Sequence, residues 1–168
     1  MRQGPEIWIR GPVTPPEPPG TGAARRFSWV GAHGGAGVST LAAVYGGQDC
    51  GRAWPGPADP ASVLLVARTH AAGLAAAART VEDFRRGRTP AGLGLHAVVL
   101  VADAPGRLPR PLARSVGLLE SAVEVHRVPW VTGWRLGEAG AGPPRGTDPL
   151  IRLTRPMRRP PPCPALRG

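Results

Sequence analysis

Residues 33–40 read "HGGAGVST", and no other stretch of the chain concentrates as much usable chemistry. Gly34, Gly35 and Gly37 let the backbone adopt unusual dihedrals and approach a ligand closely. A loop of this composition points several N–H groups at phosphate oxygens, and a helix that starts directly behind it adds its dipole. Ser39 and Thr40 supply hydroxyls, of the kind that ligate magnesium or phosphate. His33, Gly34, Gly35, Ala36, Gly37, Val38, Ser39 and Thr40 are therefore the candidate nucleotide-binding residues. One part is missing. Phosphate loops of this kind use a lysine on the outer phosphates, yet all 21 basic residues are arginine.

Asp103 is the second candidate. In "VVLVADAPG" it ends an apolar run, which is how a strand presents a carboxylate to magnesium. With Ser39 it makes the candidate magnesium pair. The alternative is an aspartate in a turn before Pro105 and Gly106. Arg68, Arg107 and Arg110 follow strand ends and are candidate phosphate clamps. Arg68, Thr69 and His70 together suit either a ligand edge or a helix cap at Thr69. His70, His96 and His126 have no metal-ligand spacing, and neither G-x-S-x-G nor H-E-x-x-H occurs. Trp130 and Trp134, near Arg127 and Arg135, suit either a stacking patch for a partner or nucleic acid or a cover for the sheet edge, and the cover is the reading preferred. Glu120 and Glu124 are read as solvated.

The elements that would position these groups follow from apolar periodicity. Four runs, at 27–31, 62–67, 96–102 and 125–131, read as strands. Three are rich in Val and Leu without polar alternation, as parallel strands covered on both faces are. Between them 39–45, 71–86 and 111–123 read as helices. Leu74, Ala77, Val81 and Phe84 make one stripe, and Leu112, Val116, Leu119 and Val123 another. The expected fold class is α/β: a small, open, mostly parallel sheet of about four strands with flanking helices. The proline-bearing segment 48–61 shows no clear element.

Composition divides the chain. There are 24 glycines and 22 prolines among 168 residues, and the prolines are concentrated towards the ends. Residues 1–24 read as an irregular Pro/Gly-rich segment, 25–138 as the α/β domain, and 139–168 as a basic, Pro-rich disordered tail. The net charge of +10 comes equally from the central domain and from that tail. Such a tail, at 145–168, suits nonspecific nucleic acid or an acidic partner. Cys50 and Cys163 form neither a metal site nor a secretory framework. No apolar run is long enough for a membrane span or a signal peptide. A cytoplasmic setting is expected.

The glycine stretch resembles the deviant loop of the MinD/ParA-type P-loop ATPases, K-G-G-x-G-K-[ST]-[ST]. Gly34, Gly35, Gly37, Ser39 and Thr40 match that pattern. His33 stands in the place of the signature lysine and Val38 in that of the main lysine, while Ala32 takes the place of the leading glycine. The resemblance implies a P-loop NTPase-like fold, ATP and magnesium as ligands, and dimerisation. The departures put hydrolysis in doubt.

Across about 30–138, "VGAHGGAGVSTLA", "VLLVARTHAAGL", "VVLVADAPGRLP" and "VPWVTGWRLGE" resemble an uncharacterised family of small high-GC bacterial proteins with a degenerate P-loop. Its members are sometimes encoded near plasmid-transfer genes, and the resemblance assigns no activity. The function expected is a non-catalytic binding or regulatory protein with at most weak nucleotide binding, working with a protein partner or as a homodimer. Two alternatives stand beside it. One is an ATPase with arginine replacing the loop lysine. The other is a basic adaptor for DNA or a plasmid-transfer complex.

Overall fold

Continuous apolar runs become the strands of one parallel sheet. In chain order the elements are β1 (Ser28–Gly31), α1 (Val38–Tyr45), β2 (Gln48–Asp49), β3 (Ser62–Arg68), α2 (Ala71–Arg85), β4 (Gly94–Val101), α3 (Arg110–Ala122), β5 (Val125–Val128), α4 (Thr132–Arg135) and α5 (Asp148–Thr154). This is a computed structural model, and it describes residues 26–138 and 142–155. The strand order is β2-β1-β3-β4-β5, parallel throughout.

Helices cover both faces, which is why β3 and β4 need no polar alternation. Leu64 and Val66 of β3 pack with Val99, Val101 and Leu41 on one face. Val63, Leu65 and Ala67 pack with Val98, Leu100 and the helices α2 and α3 on the other. The predicted stripe of α2 holds: Leu74, Ala77 and Val81 are buried and Phe84 packs at their edge. The predicted face of α3 also holds, with Val116 and Leu119 buried and Leu112 and Val123 beside them.

The sheet has five strands rather than about four. The extra one is β2, inside the segment that shows no element in sequence. Two residues are too short to leave an apolar signature. Backbone geometry makes the strand instead: Gln48 N–H donates to Phe27 O at 2.9 Å and Cys50 N–H to Trp29 O at 3.1 Å. Gly47 turns the chain into it with φ 105°, and a Cβ there would lie 2.6 Å from Trp29 Nε1. The following loop packs Trp54 edge-on against Phe84 of α2, with centroids 5.4 Å apart.

The expectation of irregular structure over 139–168 does not hold for 148–154. Pro149 suits the first turn of α5, and Leu150 is buried in the same cluster as Trp29 and Leu41. Just before it, Tyr45 Oη donates to Thr147 Oγ1 at 2.8 Å, and Thr147 passes the bond to Pro144 O at 2.7 Å. Burial raises the Tyr45 phenol, with the Thr147 bond opposing. The irregular segment expected at 1–24, Cys163 and the 156–168 part of the basic tail lie outside the described residues. Among the described residues, no helix is long and apolar enough to cross a membrane.

Candidate anion-binding site at the glycine loop

The strand order creates a crevice at one place. From β1 the chain leaves through α1 towards β2 on one face, and from β3 it leaves through α2 towards β4 on the other. Connections that part in this way open a gap at the carboxyl ends of the two strands, where open α/β sheets bind ligands. The glycine loop lies there. A cleft of about 360 Å³ is lined by His33, Gly35, Ala36, Gly37, Val38, Ser39 and Thr40, together with Gly51, Arg52 and Arg68. All of the candidate loop residues except Gly34, which is exposed, therefore line one cleft.

The loop is held at both ends. Gly31 N–H donates to Gly51 O at 2.7 Å, and Ala32 N–H donates to Val66 O at 2.8 Å. Gly35 and Gly37 have φ of 72° and 105°, a left-handed conformation that favours glycine. The first bond of α1 runs from Leu41 N–H to Gly37 O at 3.0 Å, and no side chain caps that end. The amides of Val38, Ser39 and Thr40 are thus the helix's open donors.

A cation reaches the cleft from elsewhere in the chain. Arg68, the last residue of β3, donates through Nε to Gly35 O at 3.3 Å and through Nη1 to Ala102 O at 3.3 Å. Partial burial pushes its guanidinium below the ordinary value; the charge of Arg135 adds to this and that of Asp103 opposes it. A guanidinium drawn part-way out of water attracts an anion more strongly than one in bulk solvent. Arg52, from the loop after β2, lines the same cleft.

His33 braces the loop through both ring nitrogens. Its Nε2 accepts the Arg68 backbone N–H at 3.0 Å, so Nδ1 carries the proton and donates it to Gly34 O at 2.8 Å. A ring bonded in this way is neutral and braces the loop. It stacks obliquely on His70, with centroids 5.0 Å apart. His70, not Thr69, caps α2: its Nδ1 accepts the Gly73 N–H at 2.9 Å. Gly73 is needed there, because a Cβ would lie 2.4 Å from Arg68 O.

Val38 is buried in the core with Ala36 and Leu41. A Cβ on Gly31 would meet its Cγ2 at 3.1 Å.

Asp103 is not among the described residues that line the glycine-loop cleft with Ser39. The strand beside β1 is β3, which ends in Arg68, whereas Asp103 follows β4, one strand further out. Its backbone N–H donates to Thr69 Oγ1 at 3.0 Å, and its carboxylate receives Arg135 Nη2 at 3.4 Å. Among the described residues no group of three or more His, Cys, Asp or Glu side chains is placed to hold a metal ion. Arg107 lies at a different cleft, and Arg110 opens α3.

Trp134 packs against the core, while Trp130 carries the Arg135 guanidinium 5.0 Å above its ring. Arg127 is held by Glu120 at 2.6 Å, so Glu120 is paired rather than simply solvated. Arg52 was not a candidate in the sequence. Its only signal is the Gly51–Arg52 pair within the proline-bearing segment 48–61, and such a pair is common to many turns.

Residues 26–151 match the profile described as a family of unknown function, DUF6668. The chain belongs to this family. The match covers the whole sheet, the glycine loop and the first half of α5, so the DUF6668 unit and the packed structure coincide closely. No curated protein and no solved structure matches the chain.

Proposed function

We propose that this DUF6668 protein is a binding or regulatory protein, and that its glycine-loop cleft holds a phosphate-bearing ligand without turning it over. The observation that carries this reading is the position of Arg68. Its guanidinium enters the cleft beside the open amides of α1, where the missing lysine would otherwise act. Backbone donors, a helix N-terminus and a partly desolvated cation are together what a terminal phosphate or pyrophosphate requires.

The same geometry argues against turnover. Among the described residues no carboxylate lines the cleft, and Asp103 is engaged by Arg135. A magnesium ion at Ser39 would therefore lack the acidic partner that phosphoryl transfer uses. His33 is held as a neutral brace and adds no charge. If ATP and magnesium bind, binding is the end of the process.

Calorimetric titration with ATP, ADP, GTP and inorganic pyrophosphate, with and without magnesium, tests the proposal. Saturable binding that Arg68→Ala weakens supports it. No binding at millimolar concentrations makes the loop a strand-to-helix turn alone. Magnesium-dependent hydrolysis lost in Ser39→Ala would replace this reading with the enzyme.

A further inference from the structure

We propose that a second cleft, at the carboxyl ends of β4 and β5, binds a small organic anion with an apolar body. The cleft has a volume of about 610 Å³, inside the range of roughly 300–1,000 Å³ typical of ligand pockets. Leu100, Val116 and Val128 form its floor, and each is buried under the surrounding chain.

The rim is basic. Arg107 comes from the loop between β4 and α3, Arg127 from β5, and Arg145 from the segment before α5. Arg127 is committed to Glu120. Among the described residues, Arg107 and Arg145 make no hydrogen bond or ion pair, and no acid lines the cleft.

A polar group lies within it as well. Thr69 is 8% exposed, and its hydroxyl accepts the Asp103 N–H. The hydroxyl proton has no acceptor among the described residues. A nearly buried donor of this kind needs an acceptor, and a ligand in the cleft would supply one.

These features select a class of ligand. A wholly apolar molecule would leave the guanidinium groups and the Thr69 proton without a partner. An inorganic anion would leave the apolar part of the cleft lining, such as Ala104, Leu108 and Pro129, without a partner. A carboxylate, sulfonate or phosphate head on a ring system or short alkyl body meets both requirements. This cleft is distinct from the one at the glycine loop, since the two share no lining residue.

Fluorescence titration of the full chain with anilinonaphthalene sulfonate tests the assignment, alongside the neutral phenylnaphthylamine, which has a similar apolar body without the charge. The sulfonate should bind saturably and more tightly than the neutral dye. Combined Arg107→Ala and Arg145→Ala should raise its Kd by about tenfold or more and leave the neutral dye unaffected. Ala113→Trp, which fills the cleft from α3, should abolish sulfonate binding while the circular dichroism spectrum and melting midpoint stay native. Inorganic pyrophosphate should not displace the dye. Equal binding of the two dyes, an unchanged Kd in the arginine variant, displacement by pyrophosphate, or no saturable binding by the folded protein would each overturn the proposal. Because the pyrophosphate titration reads the glycine loop separately, the two sites can fail independently.

Discussion

The Arg68 guanidinium, at the end of β3, donates to the carbonyl of Gly35 in the loop after β1 at 3.3 Å. The bond places a cation from one strand end against a glycine of another, 33 residues away in sequence. Arg68→Ala is expected to weaken pyrophosphate or ATP binding by about tenfold or more, the scale of one charged hydrogen bond. Arg68→Lys should recover part of that loss, because the point charge returns without the fork that reaches two carbonyls. Calorimetry on the three proteins checks the order.

Val38→Lys places an ammonium where a core side chain now packs. The expected cost is about 2 kcal/mol or more of folding stability, read by denaturant unfolding. Unchanged stability with a gain in anion affinity would mean that the lysine turns outward into the cleft.

Gly73 and Gly34 make a contrasting pair. A Cβ at Gly73 would overlap Arg68 O at 2.4 Å, whereas one at Gly34 meets nothing within 4 Å. Gly73→Ala should destabilise by about 1–3 kcal/mol through overpacking. Gly34→Ala should stay within about 0.5 kcal/mol of the parent. Thermal melts of the two variants separate a packing role from a loop role.

Leu150 ties α5 into the core, 1% exposed. Leu150→Ala should cost about 2–5 kcal/mol, as truncation of a buried leucine does. A cost near zero would mean that α5 is dispensable.

His126 on β5 gives the fold a dependence on pH. Burial lowers its imidazole below the ordinary value of 6.5, Glu124 opposing and His96 adding to the fall. Its Nε2 is buried without a hydrogen bond, although Glu124 Oε1 lies 3.3 Å away. Below pH 6.5 the unfolded chain takes up a proton that the folded chain resists. This contribution is therefore complete above that pH and declines as pH falls towards the depressed folded value. His126→Gln should flatten the decline, as read from melting midpoints across pH 5–8, a span of about three units around the histidine range.

The long apolar runs decided the sheet before any tertiary contact was considered. Val63–Ala67 and Ala97–Val101 carry no polar alternation, and such strands are stable only when both faces are covered. Periodicity likewise settled the buried faces of α2 and α3, because each helix buries a single stripe. The glycine loop was legible because its conformation depends on local residue types: left-handed turns at Gly35 and Gly37 are written in the glycines themselves.

What depended on folding was proximity. Strand order put β3 rather than β4 beside β1, and so gave the cleft Arg68 and left Asp103 to Arg135. No spacing along the chain encodes that choice. The two-residue β2 and the short helix α5 are held by contacts with Trp29, Phe27 and the core, and their own residues carry too little pattern to announce them. Residue types therefore determined which groups could do chemistry. The parallel order of five strands determined which of them meet, because hydrogen-bonded neighbours in a sheet are chosen by non-local pairing rather than by local propensity.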